Sequence, residues 1–475
     1  MNDSYSSPLA ERYASETMLA LWSPRTRYGL WRRLWLALAE SERDLGVPIP
    51  EAAVNEMRAQ LDSIDFDAVA EYERKFRHDV MAHVHAFGDV APQARAFIHL
   101  GATSAYVTDN ADLILMKRAL GLLRDSVIEV LRALSAFAEK WRSEPTLGYT
   151  HLQPAQLTTV GKRATLWMQD LVLDLADIDY RVKSLPFRGV RGTTGTQASF
   201  LEIFAGDHGK VRELDARVTK KMGFSRSLPV TGQTYSRKLD SGVLGVVAGL
   251  AASAAKFSGD IRMLQAFGEM EEPFNTDQIG SSAMAYKRNP MRSERIASLA
   301  RFVLSLEPNA NQTHSAQFLE RTLDDSANRR LVIPESFLAT DAILLLMHNV
   351  ASGLTVHRDV IRRRVAAELP FMATEKLIMR AVRSGGDRQD AHETIRRHSM
   401  DTIRAMREGG GQNDLVDRLS REPAMAAAME ELRAELSPEN LTGRAPEQVD
   451  EFLAEVISPI LGKKKARAAA QKLRV

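Results

Sequence analysis

The sequence predicts an all-α fold, in which three helical domains are arranged around a central bundle of long helices. Apolar residues recur at steps of three, four or seven over segments of about thirty residues. Strand patterns are scarce. No repeat of fixed period is evident, which argues against an α-solenoid. A thirty-residue helix is about 45 Å long, which is typical of an extended bundle and too long for a compact single domain.

The predicted helices are short up to about residue 100, long in the middle of the chain and short again after His357. We place the domain boundaries at these two changes, which gives the ranges 1–103, 104–356 and 357–475. The first domain contains a helix predicted over 30–45, which Pro48 ends, and shorter helices up to about residue 100. In the third domain Pro370 again punctuates short helical segments.

Four long helices are expected in the central domain. Their predicted ranges are 112–141, 154–185 starting at Pro154, 237–267, and 326–352 bent at Pro334. The third carries no charge between Ser241 and Ala255 and is rich in small residues, so we expect it to be buried on all sides, partly by other subunits. Its apolar run is too short and too poor in large apolar groups for the roughly 18 to 20 residues of a membrane span.

Composition excludes several classes of function. The 475 residues include 63 basic and 61 acidic side chains, which alternate along the chain and argue against a nucleic-acid or membrane partner. The absence of cysteine excludes disulfides, zinc–thiolate sites and thiol nucleophiles. We expect no signal peptide and a cytoplasmic location. The basic segment 463–474 is expected to be a solvated helix end in preference to a polyanion-binding tail.

The polar stretch from Gly280 to Glu294 is the strongest candidate for chemistry, and we name its residues 280–290 the 280–290 loop. It begins Gly280-Ser281-Ser282, whose backbone N–H groups can converge on a carboxylate or a developing oxyanion, and Lys287 adds a positive charge. Asn289 is expected to cap the helix that follows. Taken alone, the loop could equally be a solvated turn.

His151 is the candidate proton donor among the eleven histidines. It precedes Gln153-Pro154, so we expect it at the mouth of a helix, and an unperturbed pKa near 6.5 suits proton transfer at neutral pH. A histidine that only completes a turn is the alternative.

A phosphate grip is predicted near residue 326. The cluster consists of Arg321, Ser326, Arg329 and Arg330. Ser326 and Arg330 share a face if the segment is helical, and Arg321 approaches from the preceding turn. Surface ion pairs with Asp324 and Asp325 are the alternative.

Two further patterns could indicate a ligand site. The segment Arg77-His78-Asp79 with His83 and His85 could bind a metal, since Asp79 and His83 are four residues apart, but three or four convergent ligands are needed. A lone His-Asp pair is also typical of His-Asp phosphohydrolases, but their further ligands cannot be identified here. The glycine-rich loop 188–196 lacks the Gly-Lys-Ser/Thr ending of a P-loop and is predicted to be a turn at the edge of the bundle near the site.

Three blocks of sequence resemble the fumarase/aspartase superfamily, and the resemblance runs from about Ser7 to the last helices. They are Gly280-Ser-Ser-x-Met-x-x-Lys-x-Asn289 with the trailing Glu294, Thr150–Thr159, and Leu100–Ser104 with Asp109-Asn110. Within the superfamily, segments 77–79, 287–290 and 320–330 resemble the branch that acts on succinyl-nucleotides. Ala285 departs from the usual proline, and we expect it to loosen the loop.

The resemblance implies a β-elimination that releases fumarate without a cofactor or a metal. It implies that His151 protonates the departing nitrogen, that Glu294 orients His151, and that Ser281 is the base. It also implies a homotetramer whose active sites are built from several subunits. The substrate-binding residues it implies are Arg12, Tyr13, Arg77, His78, Asp79, Thr103, Ser104, Gln233, Lys287, Asn289, Arg295, Arg321, Ser326 and Arg330.

Two rival functions remain open from the sequence. The first is another lyase or cycloisomerase of the superfamily with a substrate that carries no phosphate. The second is a catalytically idle structural protein on the same scaffold, as some lens crystallins are.

Overall fold

The computed structural model describes residues 4–462 and confirms the all-α fold. Helices make up nearly all of its regular structure, and the only strands in this part of the chain form two short antiparallel pairs. The basic segment 463–474 lies outside the described residues, so its expected helix end stays a prediction.

Five helices and two short turns of helix form the N-terminal region. A π-helical turn spans Leu9–Tyr13 and a 3-10 turn Pro92–Ala94; the helices are α1 (Glu16–Leu21), α2 (Pro24–Asp44), α3 (Glu51–Ala59), α4 (Phe66–Phe76) and α5 (Asp79–Val90). Helix α2 begins earlier than predicted, because the Ser23 side chain accepts a hydrogen bond from the Thr26 N–H and Pro24 occupies the first helical position.

The central region contains the four predicted long helices and three further helices. They are α6 (Ser104–Lys140), α7 (Val160–Ser184), α8 (Ala198–Ile203), α9 (His208–Lys221), α10 (Lys238–Ala266), α11 (Met291–Ser315) and α12 (Asp324–Gly353). Helix α10 packs against α7, α11 and α12, and α6 packs against α7 and α12. At the contact between α7 and α10, buried Trp167 meets Phe257 edge-to-face with ring centroids 5.2 Å apart and donates to Asp260 at 2.7 Å.

The predicted start of the second long helix at Pro154 was wrong. Strands β1 (Pro145–Thr150) and β2 (Gln153–Thr159) form an antiparallel hairpin there, and α7 begins only at Val160, where Thr159 caps it by accepting from the Lys162 N–H at 3.0 Å. A second small pair joins β3 (Met270–Glu271) to β4 (Thr355–Val356). Proline is tolerated at the first positions of an edge strand, so its fixed φ does not by itself identify a helix start.

Helix α10 is not buried on all sides in the single chain. Its core face includes Val243, Val247 and Leu250, but Gly245 and Gly249 on the other face are exposed. One chain alone therefore does not enclose this helix, and its burial by other subunits stays a prediction.

Two helices, α10 and α12, are long and apolar enough to cross a membrane when only length and composition are considered. The composition argument against a span in α10 was therefore wrong. In the most apolar 18-residue stretch of each helix, 50% of α10 and 72% of α12 is buried inside the protein, as in core helices of globular proteins.

Short helices form the C-terminal region. They are α13 (Arg358–Met372), α14 (Thr374–Arg383), α15 (Arg388–Gly409), α16 (Leu415–Ser420), α17 (Ala426–Ala434), α18 (Ala445–Phe452) and α19 (Ser458–Leu461), with a 3-10 turn at Glu439–Leu441 and a π-helical turn at Leu453–Ile457. Residues between Ala373 and Leu432 form a hydrophobic cluster separate from the main core. The boundaries 1–103, 104–356 and 357–475 stay predictions.

Candidate active site

A cavity of about 980 Å³ lies where α6, α10 and α12 begin, beside the turn between α4 and α5. It is large enough for a nucleotide-sized ligand. More than half of the predicted substrate-binding residues line it: Arg77, His78, Asp79, Thr103, Ser104, Gln233, Arg321, Ser326 and Arg330. The tertiary structure thus brings together side chains from four distant segments of the sequence.

The turn that carries Arg77 and His78 is fixed by helix capping. Arg77 ends α4 in the left-handed region at φ 53°, and His78 caps α5 by accepting the Met81 N–H on Nδ1 at 3.3 Å. Because Nδ1 accepts, a neutral ring carries its proton on Nε2, which lies 3.4 Å from the Ser104 hydroxyl. The cap therefore determines which nitrogen of His78 faces the cavity.

Polar contacts join the walls of the cavity across the chain. Arg330 donates to the Asp79 carboxylate at 2.8 Å, which connects α12 to the start of α5. The Gln233 side-chain amide donates to the Thr103 hydroxyl at 3.3 Å, and its backbone N–H donates to the Glu320 carbonyl at 3.1 Å. The cavity is consequently bordered by cationic and hydroxyl groups that are held in place by the same chain.

The 280–290 loop holds the hydroxyl of Ser281 in a cluster of amide donors. The Met284 N–H donates to Ser281 Oγ at 3.1 Å and the Ala283 N–H at 3.4 Å. A Cβ at Gly280 would lie 2.1 Å from the Lys287 carbonyl oxygen, so only glycine fits this turn. Donors aimed at a hydroxyl oxygen favour its deprotonated form.

Asn289 closes the loop and does not cap α11. Its side-chain amide donates to the Gly280 carbonyl at 2.7 Å, whereas Pro290 occupies the N-cap position without a side-chain cap bond. The predicted capping role of Asn289 was therefore wrong. The amide joins the two ends of the 280–290 loop instead.

Three predicted nucleotide-side residues lie together beside α11. The guanidinium of Arg295 lies 5.4 Å from the centre of the Tyr13 ring, and that of Arg12 lies 6.0 Å from it. Arg295 is on the first turns of α11, five residues after Pro290. This group therefore belongs with the 280–290 loop and not with the cavity.

His151 occupies the tip of the β1–β2 hairpin and not the mouth of a helix. It adopts φ 53°, and Leu152 follows at φ 58°, so two left-handed residues make the turn between the paired residues Thr150 and Gln153. Both the imidazole and the Glu294 side chain are exposed. Within residues 4–462, no hydrogen bond or ion pair joins His151 to Glu294 or Ser281.

The cavity and the 280–290 loop lie at opposite ends of α10. Arg237, at the cavity, precedes α10, and Gln265 near its other end donates to the Arg288 carbonyl at 2.9 Å. Arg237 and Gln265 are 28 positions apart, which corresponds to about 42 Å of helix at 1.5 Å per residue. One chain alone therefore does not bring Ser281 to the cavity that holds Ser104 and Ser326.

Comparisons with known proteins show which family the chain belongs to. A family model described as "Lyase" matches residues 37–304, and one described as "Adenylosuccinate lyase C-terminus" matches residues 370–452. Adenylosuccinate lyase from Schizosaccharomyces pombe is 49% identical over 473 residues, which are 99% of this chain and 98% of the relative. The Saccharomyces cerevisiae protein of the same name is 49% identical over 463 residues, or 97% and 96% of the two chains.

This chain belongs to the adenylosuccinate lyase family. It is therefore a lyase, and the resemblance to the fumarase/aspartase superfamily is confirmed. A fumarate lyase from Mesorhizobium sp. BNC1 shares the fold, with a TM-score of 0.80 at 22% identity over 95% of this chain and 100% of that one.

The metal alternative at Asp79 and His83 finds little support in this adenylosuccinate lyase family member. His83 is buried against the Tyr28 ring with centroids 3.9 Å apart, and burial together with Arg32 lowers its pKa to about 4. Among the described residues, no cluster of three or more metal-binding side chains was found.

The glycine-rich loop 188–196 supports the site from behind and does not cradle a phosphate. Arg188 is fully buried, and its Nε donates to the Gln233 carbonyl at 2.9 Å. Gly195 adopts φ 82°, and a Cβ there would lie 1.9 Å from the Thr231 carbonyl oxygen. The predicted turn near the site therefore packs directly on the segment that carries Gln233.

Sequence reasoning did not identify the pairing of a set of charged residues at the inner wall of the cavity, which we name the buried ion layer. Its members are Asp109, Asp112, Arg237, Asp240, Asp325 and Arg329, all with 9% or less of their surface exposed. Arg329, which the sequence places in the phosphate grip, donates to Asp240 at 2.7 Å, and Asp325, for which a surface ion pair is the alternative, is 1% exposed and accepts from Arg237 at 2.7 Å. Buried charges of this kind are stable only when they are paired, and the sequence does not show which charges pair.

Proposed function

We propose that this protein cleaves adenylosuccinate to AMP and fumarate, and that it also cleaves the analogous succinyl-aminoimidazole carboxamide ribotide of purine biosynthesis. The observation that carries the proposal is the cavity, in a chain of the adenylosuccinate lyase family. Arg77, Arg321 and Arg330 border it together with the hydroxyl groups of Ser104 and Ser326. Guanidinium and hydroxyl groups in one concave site are suited to the phosphate and carboxylates of a succinyl-nucleotide.

The proposed reaction is a β-elimination. Ser281 removes a proton from the carbon next to a succinyl carboxylate, the carboxylate takes up the resulting negative charge, and the carbon–nitrogen bond then breaks. His151, oriented by Glu294, gives a proton to the departing nitrogen. Lys287, Asn289 and the backbone N–H groups of the 280–290 loop stabilise the dianionic carboxylate, and no cofactor is needed.

Two amide donors support Ser281 as the base. A serine hydroxyl is far too weak an acid to act as a base at neutral pH unless its alkoxide is stabilised. The N–H groups of Ala283 and Met284 both donate to Ser281 Oγ, which favours the alkoxide over the hydroxyl. Lys287, five residues on in sequence, supplies a positive charge to the same loop.

The substrate contacts we propose divide between the two ends of the bundle. Thr103, Ser104 and Gln233 bind the succinyl group from the cavity, where His78 and Asp79 lie beside them. We propose that Arg321, Ser326 and Arg330 bind the phosphate and ribose from the cavity. The remaining contacts come from the group beside the 280–290 loop, which is Arg12, Tyr13 and Arg295.

We further propose a homotetramer in which each active site combines segments of several subunits. The separation of about 42 Å along α10 supports this, because side chains reach only a few ångströms and cannot bridge it within one chain. The exposed small-residue face of α10, with Gly245 and Gly249, is suited to close packing with a second helix. We place the assembled enzyme in the cytoplasm.

The test is to incubate the purified protein with adenylosuccinate and follow the ultraviolet absorbance as AMP forms, with succinyl-aminoimidazole carboxamide ribotide as the second substrate. Argininosuccinate serves as the matched control, because it carries a succinyl group without a phosphate. Turnover of both succinyl-nucleotides and none of argininosuccinate is expected. Absence of fumarate release from every substrate would instead support the idle structural protein.

A further inference from the structure

A single buried arginine joins three of the segments that line the cavity. Arg237 is 2% exposed, and its two terminal nitrogens donate to the two oxygens of Asp109 at 3.1 and 3.2 Å. Its Nε donates to Asp325 at 2.7 Å. The planar guanidinium thus holds two carboxylates in a fixed relative position, which the point charge of a lysine does not do.

The partners of Arg237 stand next to the proposed substrate contacts in the sequence. Asp109 lies on α6 five residues after Ser104, and Asp325 immediately precedes Ser326 on α12. Arg237 itself follows Gln233 by four residues. Any displacement of this guanidinium is therefore transmitted to the start of α6, to the start of α12 and to the segment between them.

A second arginine repeats the arrangement one turn further along α12. Arg329 donates to Asp240 at 2.7 Å and pairs with Asp112 at 3.1 Å, and it immediately precedes Arg330. Both guanidinium groups lie against the ring of Tyr235, at 4.5 Å for Arg237 and 5.4 Å for Arg329. The Tyr235 N–H donates to Asp109 and its hydroxyl to Asp240, so the two arginines belong to one network.

Burial makes this network sensitive to small changes of geometry. Burial is the largest single influence on Arg237 and lowers its pKa, but Asp109, Tyr235 and Asp240 together outweigh it and raise the pKa, so the guanidinium remains charged. Removing one partner from such a network leaves a buried charge without compensation, and the surrounding helices must then move to admit water.

We infer that Arg237 is a positioning residue for the proposed reaction: it joins α6 to α12 so that Ser104 and Ser326 face one substrate. Arg237 lines the inner wall of the cavity, and we assign it a role through Asp109 and Asp325 and none in proton transfer. This inference rests on the proposed function. It adds that binding in the cavity depends on a buried ion pair that holds the binding groups in place.

The experiment compares Arg237→Lys with Arg32→Lys, measuring KM and kcat for adenylosuccinate together with thermal unfolding. Arg32 is the matched control, because it is 1% exposed and donates to the carbonyls of Gln60 and Ser63 away from the cavity. Arg237→Lys is expected to lower kcat/KM by about 10²-fold, mainly through KM, because misplacement of binding groups by about 1 Å has effects of that size. Arg32→Lys is expected to lower the unfolding temperature and leave kcat/KM close to that of the unmodified enzyme.

Asp325→Asn provides the second test in case Arg237→Lys does not fold. The asparagine keeps the size of the side chain and an acceptor for Arg237, and we expect a rise in KM in the same direction. Equal effects of Arg237→Lys and Arg32→Lys on kcat/KM, or an unchanged KM in Asp325→Asn, overturn the inference. An unmodified protein that does not cleave adenylosuccinate overturns the proposed function instead, so the two failures are distinguishable.

Discussion

The cavity and the 280–290 loop differ in where their polar side chains find partners. Around the cavity, Arg330 pairs with Asp79 and Gln233 with Thr103, above a buried layer of charges. In the loop, Ser281 is half-buried and Lys287 is exposed, and Tyr286 and the adjoining Ile279 expose 84% and 76% of their surface. The comparison teaches that one chain builds the cavity from its own segments but leaves its proposed base in a more open part of the surface, as expected if a second subunit covers the loop.

The largest expected effect concerns the proposed base and acid. Ser281→Ala and His151→Ala should each fold and assemble but lose about 10²-fold or more in turnover, the range for a positioned acid or base. Steady-state kinetics with adenylosuccinate measures this, and Ser282→Ala, the neighbouring serine of the same loop, is the control. Near-normal turnover in either variant would remove that residue from its role.

The same two variants test whether sites are shared between subunits. If Ser281 and His151 of one site come from different chains, refolding a mixture of the two inactive variants should restore part of the activity. If each chain builds its own site, the mixture should be as inactive as its components.

A smaller effect is expected on the cavity side. Arg330→Met should raise the KM for adenylosuccinate about 10- to 100-fold, because a hydrogen bond to a charged group contributes about 1.5 to 3 kcal/mol. Arg396→Met is the matched control, since Arg396 is also an exposed helical arginine paired with a carboxylate, that of Glu393. An unchanged KM in Arg330→Met would show that this end of the cavity does not bind the phosphate.

One buried carboxyl group is expected to affect only the stability of the protein. Glu42 on α2 is fully buried, neither oxygen has a hydrogen-bond partner within the described chain, and burial raises its pKa to about 9 from 4.5. Between these values the folded protein holds a proton that the unfolded chain releases. The free energy of unfolding therefore falls as pH rises towards 9.

Glu42→Gln should remove this dependence. Its stability relative to the unmodified protein should increase by up to about 1.4 kcal/mol per pH unit between pH 6 and pH 8, measured by denaturant unfolding. Glu40→Gln is the control on the same helix: burial raises the pKa of Glu40, but Lys221 and Arg58 outweigh it and lower the pKa. Its stabilising effect is constant above pH 6, so a matching pH trend in Glu40→Gln would contradict our interpretation.

The smallest effect is expected at Ala285 in the 280–290 loop. In the described chain its N–H donates no backbone hydrogen bond, so proline there removes no such bond. Ala285→Pro should stiffen the loop, slow trypsin cleavage after Lys287 and Arg288, and change the free energy of unfolding by about 0.4 to 1 kcal/mol at most. Unchanged kinetics together with unchanged cleavage would refute the hypothesis that Ala285 loosens the loop.

The sequence by itself determined the long helices and singled out the proposed reacting groups. Helices α6, α10 and α12 were predicted within about ten residues of their ends, because an apolar stripe of period 3.6 is a local property of the chain. Ser281, His151 and Arg330 could be singled out because each lies in a short block of recognisable spacing, which is also a local property of the chain.

Only the tertiary structure decided which of these groups lie together. The β1–β2 hairpin was missed because its strands are stabilised by pairing with each other, and Pro154 suggested a helix instead. Arg237 and Asp109 are separated by 128 positions, and nothing in either segment shows that they form a buried pair. Distances between segments depend on how the helices pack, and the packing of rigid helices about 40 Å long also places the cavity and the 280–290 loop at opposite ends of one chain.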